Sequence, residues 1–132
     1  MVFLEIISIS IDEETLSELN EIQRALGFKS RSKMLRSTID LLLGEYRALE
    51  SLNGRHEVVF IITYRDKEKN HVSNILHKFE NEVKVTVHQH RGTMCLDTLN
   101  IDADSEVIKR LFKEMKGSKC IRSLNFALLG HY

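Results

Sequence analysis

The chain contains no proline and no tryptophan, only two cysteines, and aromatic residues at 7% of its 132 positions. Two cysteines do not make a disulfide framework, so a small cross-linked scaffold is excluded and a reducing, cytoplasmic setting is expected. No apolar run approaches the roughly 18 residues needed to span a bilayer, so no membrane association is expected. The N-terminus lacks a basic region followed by an apolar stretch, and no signal peptide is expected. An excess of one charge is missing too: Lys and Arg number 19, as do Asp and Glu. That balance excludes a uniformly basic protein that coats nucleic acid, while a local basic surface stays open. The chain has no Ser-His-Asp order, no phosphate loop and no His-Glu-x-x-His motif. A catalytic metal site needs a general base, and Asp97 is the one candidate, so an enzyme is not expected.

Apolar residues at 42% and charged residues at 29% are ordinary for a soluble globular protein. The length allows one ordinary domain or two small ones. Charge is distributed unevenly. Residues 1–52 carry six basic and nine acidic side chains, whereas residues 53–132 carry thirteen basic and ten acidic. Within the acidic half, Arg24, Lys29, Arg31, Lys33 and Arg36 occupy a stretch free of acids. They form either a solvated helix face or an anion-binding surface.

Val2 to Ile11 alternates with period two and is rich in β-branched residues, which predicts a short strand. Its Ile7, Ile9 and Ile11 face should be buried, and its Ile6, Ser8 and Ser10 face is small and mostly hydroxylated. Asp12 is placed to cap a helix that opens with Glu13 and Glu14 and carries Leu16, Leu19, Ile22 and Leu26 at helical spacing. Gly27 ends it. Ser30 or Ser32 caps a second helix with Met34, Leu35, Ile39, Leu42, Leu43 and Tyr46 directed inward. Ser51-Leu52-Asn53-Gly54 is the best linker, which places domains at 1–52 and 53–132. Val58–Tyr64 then reads as a buried strand, 67–80 as a helix and Val83–His90 as an alternating strand. Arg91-Gly92-Thr93 turns into a hairpin partner from Met94 to Ile101. Ser105–Met115 is a helix and Ile121–Leu129 a last strand. The second half is therefore βαββαβ, the ferredoxin-like order.

A lone strand followed by two helices leaves backbone groups unpaired and one strand face uncovered. Pairing with the same strand of a second copy solves both problems and gives a ribbon-helix-helix dimer. Such a ribbon can enter the DNA major groove, with Ile6, Ser8 and Ser10 toward the base edges. The start of the second helix, Ser30 to Lys33, would hold phosphate. A plain dimerisation domain is the competing reading.

In the second half, His88 and His90 sit at i and i+2 on one strand and project from the same face. Cys95 follows across the turn, where a hairpin can bring its thiolate alongside them. His77 lies eleven residues before His88, near the end of the preceding helix. Imidazoles with one thiolate suit a borderline transition metal, tetrahedral zinc or square-planar Ni(II) or Cu(II). A His pair on a strand can equally be surface decoration. Asp97 falls on the same strand face as Cys95 and could orient an imidazole. Cys120 reads as a small buried hydrophobe. His71 has no spaced partner, His56 falls in the linker, and His131 falls at a frayed end.

This order of parts resembles the NikR family of nickel-responsive repressors over nearly the whole chain. The matching residues are Ile7-Ser8-Ile9-Ser10-Ile11-Asp12, the Gly27-Phe28-Lys29-Ser30-Arg31-Ser32-Lys33-Met34-Leu35-Arg36 opening of the second helix, and His88-Gln89-His90 followed by Cys95-Leu96-Asp97. The resemblance implies an α+β chain with an N-terminal ribbon-helix-helix domain and a C-terminal ferredoxin-like, ACT-like domain. It implies a cytoplasmic homotetramer, a dimer of dimers, that binds double-stranded operator DNA and represses metal-uptake genes. It also implies one Ni(II) per subunit, held by His88, His90 and Cys95 of one chain and His77 of a neighbour, with Asp97 behind them. DNA contacts would come from Ile6, Ser8, Ser10, Lys29, Arg31, Ser32 and Lys33. The chain departs from the family pattern in four places. The His90-to-Cys95 loop is one residue shorter, Asp97 and Lys33 each stand where Glu is usual, and Ile6 stands where some members carry a base-reading Arg. The Lys33 change removes a carboxylate from any alkali-metal site. The alternatives are a regulator that senses copper, zinc or cobalt, or one that senses a small organic ligand through its ACT-like domain.

Overall fold

The protein was analysed as a computed structural model that describes residues 3–129. Val2, at the start of the expected first strand, and His131 lie outside the described residues. The chain divides into two compact units, Met1–Tyr46 and Arg47–Tyr132.

In the first unit, α1 spans Glu13–Leu26. It starts there because the Asp12 carboxylate accepts from the Thr15 backbone N–H at 2.7 Å and from the Thr15 hydroxyl at 2.9 Å. These bonds satisfy a free donor of the first turn. The same bonds hold the Asp12 carboxyl below the usual carboxylate range. Gly27, at φ 73°, ends α1 in the left-handed conformation that favours glycine. The second helix, α2, covers Arg31–Glu50. Ser30 is its cap, with Oγ 3.1 Å from the Lys33 N–H, which settles the choice between Ser30 and Ser32.

Two expectations fail within the single chain. Residues 3–12 form no strand, and Ile7 and Ile9, expected to be buried, are 77% and 66% exposed. On α2, Met34 is buried, but Ile39, Leu42, Leu43 and Tyr46 are exposed. A strand needs a neighbour to take its N–H and C=O groups, and a unit of about 46 residues has little surface with which to cover three apolar faces.

The second unit contains β1 (Arg55–Arg65), α3 (Lys69–His77), β2 (Val83–Arg91), β3 (Met94–Asp104), α4 (Ser105–Gly117) and β4 (Ile121–Leu129). A single 3-10 turn, Asp66–Glu68, joins β1 to α3. His56, expected in the linker, lies in β1, which starts earlier than the apolar run suggests. The four strands form one antiparallel sheet ordered β2-β3-β1-β4, the arrangement that a βαββαβ chain makes. Alternate residues of β1 and β3 face the core: Val58, Phe60, Ile62 and Tyr64 against Cys95, Leu99, Ile101 and Ala103. Val72, Phe79, Ile108, Leu111 and Met115 complete that core. The helical periodicity places Val72, Phe79, Ile108, Leu111 and Met115 on inward faces, but the helix expected over 67–80 is shorter: α3 ends at His77, and Phe79 packs from the turn that follows.

Candidate functional site

The β2–β3 hairpin turns at Gly92, whose φ of 60° suits glycine at the first central position of a tight turn. The register that follows places His90 opposite Cys95 and His88 opposite Asp97. Cross-strand partners share a sheet face, so these four side chains converge. The donor atoms of His88, His90 and Cys95 lie within 4.8 Å of one another. Nitrogen and sulfur donors of one ion stand at most ~4.4 Å apart, and the 3.8 Å between His90 Nδ1 and Cys95 Sγ falls inside that limit.

Each imidazole is held at one nitrogen by an oxygen acceptor. His88 donates from Nδ1 to Asp97 Oδ1 at 2.5 Å, which leaves Nε2 for a metal. His90 donates from Nε2 to the Gly92 carbonyl at 2.7 Å, which leaves Nδ1, and that nitrogen lies 3.8 Å from Cys95 Sγ. Asp97 is only 4% exposed, and its other oxygen accepts the Tyr64 hydroxyl at 2.8 Å. Burial, and then the hydrogen bond to Asp97, push the Tyr64 hydroxyl well above the ordinary phenol range. A carboxylate that fixes an imidazole and is itself fixed is the usual support of a metal-ligating histidine.

Cys95 is buried, and its Sγ lies 3.8 Å from Asp66 Oδ1, while the same oxygen is 3.5 Å from His90 Nδ1. Burial, and then the Asp66 carboxylate, raise the Cys95 thiol above its ordinary value. Two imidazole nitrogens and one thiol fit a borderline transition metal, which would displace the thiol proton.

His77 is not brought into this group. It ends α3 with its side chain 77% exposed and its Nδ1 3.0 Å from Glu80 Oε2. It does line an open cleft of about 390 Å³ together with Tyr64, Ser73, His88 and Asp97. In the first unit, Ile6, Ser8, Ser10, Lys29, Arg31, Ser32 and Lys33 are all exposed, and Arg31 donates to Asn20 Oδ1 at 3.1 Å.

Sequence reasoning missed Tyr64 and Asp66. Tyr64 is placed opposite Cys95 by the pairing of β1 with β3, and only its parity in the apolar run hints at it; Asp66 opens the 3-10 turn beyond β1, where its backbone N–H donates to the Thr93 carbonyl at 2.8 Å. Cys120, expected as a buried hydrophobe, is half-buried and donates to Glu68 Oε2 at 3.2 Å.

Residues 5–46 match the copG family of ribbon-helix-helix proteins. Residues 58–129, more than half of the chain, match the NikR C terminal nickel binding domain. Together with the His/Cys cluster, the two units define a DNA-binding, nickel-responsive regulator rather than an enzyme. The chain belongs to the NikR family. A candidate nickel-responsive regulator of Methanococcus maripaludis strain C5 is 26% identical over 133 residues, covering 98% of this chain and 94% of that one. Another, from Methanosarcina acetivorans, is 28% identical over 121 residues, covering 88% and 86%. Among solved structures, an uncharacterized protein of Thermotoga maritima shares the fold at a TM-score of 0.53 and 19% identity, covering 58% of this chain and 99% of that one. No helix among the described residues is long and apolar enough to cross a membrane.

Proposed function

We propose that this chain is a cytoplasmic, nickel-responsive repressor of metal-uptake genes, working as a homotetramer of two ribbon-helix-helix dimers. In this reading residues 1–52 dimerise and bind operator DNA, and residues 53–132 bind metal and join the dimers. The observation that carries it is the convergence of a ring nitrogen from each of His88 and His90 with Cys95 Sγ, all within 4.8 Å of one another.

His88, His90 and Cys95 of one chain, with His77 of a second copy, would hold Ni(II), which would supply a centre suited to imidazole and thiolate ligands. Asp97 keeps His88 in the tautomer that leaves Nε2 bare, and Tyr64 keeps Asp97 in place. Asp66, beside Cys95 and His90, puts negative charge where a cation would sit. In the first unit, Ile6, Ser8 and Ser10 face the bases from a ribbon made by two copies. Lys29, Arg31, Ser32 and Lys33, at the start of α2, hold phosphate by charge and by free backbone N–H groups. Occupation of the metal site biases the dimers toward one arrangement that fits two half-sites, a coupling between distinct sites. By linkage, operator DNA tightens metal binding by the same factor.

The test is a Ni(II) titration of tag-free apo protein followed by ultraviolet-visible absorption, beside a Cys95→Ala control. The expected result is a thiolate-to-nickel charge-transfer band that saturates near one metal per chain and is absent in the control. Selection of bound duplexes from a random DNA pool, with and without Ni(II), then reads the coupling. No band in the wild type sinks the nickel reading. It would bring forward a small-ligand sensor, for which the cleft beside His88 is the motivating feature.

A further inference from the structure

A second group of metal-ligating side chains lies apart from the first. Glu68 closes the 3-10 turn, His71 sits in the first turn of α3, and Cys120 immediately precedes β4. Spacing of i and i+3 puts Glu68 and His71 on one helical face. The chain brings Cys120 to the same place from 52 residues further along. Cys120 Sγ is 3.2 Å from Glu68 Oε2, and His71 Nδ1 is 3.3 Å from that same oxygen. All three groups offer a donor atom within 4.8 Å of the others. The Cys120 backbone N–H is held by Ser118 Oγ at 3.2 Å, which fixes the approach of the cysteine.

We propose that Glu68, His71 and Cys120 form a second divalent-metal site that takes a tetrahedral ion such as zinc(II). The distances carry the proposal. Around one tetrahedral zinc, carboxylate oxygen, imidazole nitrogen and thiolate sulfur stand about 3.3–3.5 Å apart, close to the two separations found. One oxygen, one nitrogen and one sulfur make three protein ligands, which leaves a fourth position for water. The donor set also separates this site chemically from the first. It has one imidazole and a hard carboxylate in place of two imidazoles, and tetrahedral geometry is what zinc(II) and cobalt(II) adopt with such ligands while planar nickel sites favour more nitrogen. On binding, the Cys120 S–H bond is replaced by a metal–sulfur bond and the proton is released to solvent. Glu68 would bind through a carboxylate oxygen.

The chain contains two cysteines, Cys95 and Cys120, and that count makes the test clean. In full-length Cys95→Ala protein, any thiolate-to-cobalt charge-transfer band must come from Cys120. Titration with Co(II) is expected to give that band with tetrahedral visible bands, saturating near one Co(II) per chain, and Zn(II) is expected to displace it. The band should vanish in Cys95→Ala/Cys120→Ala. Cobalt affinity should fall by about tenfold or more when His71→Ala or Glu68→Gln is added to Cys95→Ala. His71 is exposed, so its substitution leaves the core untouched, and far-ultraviolet circular dichroism checks that each variant is folded. Absence of a thiolate band in folded Cys95→Ala would overturn the site. So would a band that ignores both His71→Ala and Glu68→Gln.

Discussion

The Nδ1 nitrogen of His88 lies 2.5 Å from Oδ1 of Asp97, directly across the β2–β3 ladder. The contact decides which nitrogen of His88 is available to a metal. Asp97→Asn keeps the volume but replaces a charged acceptor by an amide that can turn its donor toward the ring. Ni(II) affinity is expected to fall about 10–100-fold, with the fold retained. Competition against a chromogenic chelator measures it, and an unchanged affinity would remove Asp97 from the site.

Cys95 makes metal binding sensitive to pH. Burial first, and then the Asp66 carboxylate, favour the protonated thiol, whereas a metal takes the thiolate. Protons therefore compete with metal at every pH below the thiol's raised value. Ni(II) affinity is expected to rise by at least about tenfold per pH unit in that range, as release of one proton requires. Asp66→Asn removes one of the causes that raise the thiol, so the rise should level off at lower pH. Affinity measured by competition from pH 6 to 9, in both proteins, checks the direction of the shift.

Much of this arrangement is legible in the sequence because it is local. The Asp12 cap, the Gly27 stop, and the period-two and helical apolar patterns each depend on neighbours within a few residues. So does the placing of Cys95 beside His90 across a two-residue turn. What the sequence hides is long-range register. Tyr64 reaches Asp97 across 33 residues, and Cys120 reaches Glu68 across 52, and no local pattern sets either pairing. The N-terminal strand fails for a different reason. Its alternation is clear, but a strand is defined by ladder hydrogen bonds to a neighbouring strand, and residues 3–12 pair with no strand within one chain.

That failure is itself testable. Ile7, Ile9 and Ile11 share one strand face and are exposed in the single chain, which is unfavourable unless a second copy covers them. Ile9→Asp would place a charge in the covered face, where an unpaired charge is costly. Sedimentation of the full chain is expected to show a smaller species than wild type, with DNA binding lost and the Ni(II) charge-transfer band retained if the second unit folds independently. A variant that sediments like wild type would count against the paired ribbon.

Gly92 sets the hairpin that aligns His90 with Cys95. A Cβ at Gly92 would meet nothing within 4 Å, so the cost of Gly92→Ala is the left-handed backbone alone, about 1–2 kcal/mol. Gly92→Asn should cost less, because asparagine tolerates positive φ. Urea denaturation of the three apo proteins is expected to rank them wild type, Asn, Ala. Since the Gly92 carbonyl also accepts from His90 Nε2, a turn that shifts to relieve the strain should lower metal affinity in the same order.

Tyr64 joins the core to the His88–Asp97 pair, and its removal should be felt in both stability and pH dependence. Tyr64→Phe leaves Oδ2 of the buried Asp97 without its donor, which is expected to cost about 1–3 kcal/mol. The folded-state hydroxyl is raised above its ordinary value of 10.0, first by burial and then by Asp97. A raised acid contributes stability that is complete below the unfolded value and is lost as pH rises from there toward the folded one. Wild-type stability is therefore expected to decline above about pH 10 as Tyr64 in the unfolded chain ionises. In Tyr64→Phe that part of the decline should be missing, so the stability gap between the two proteins should narrow with rising pH. Urea midpoints measured from pH 8 to 11 decide it, and a gap that stays constant would mean that Tyr64 ionises as easily folded as unfolded.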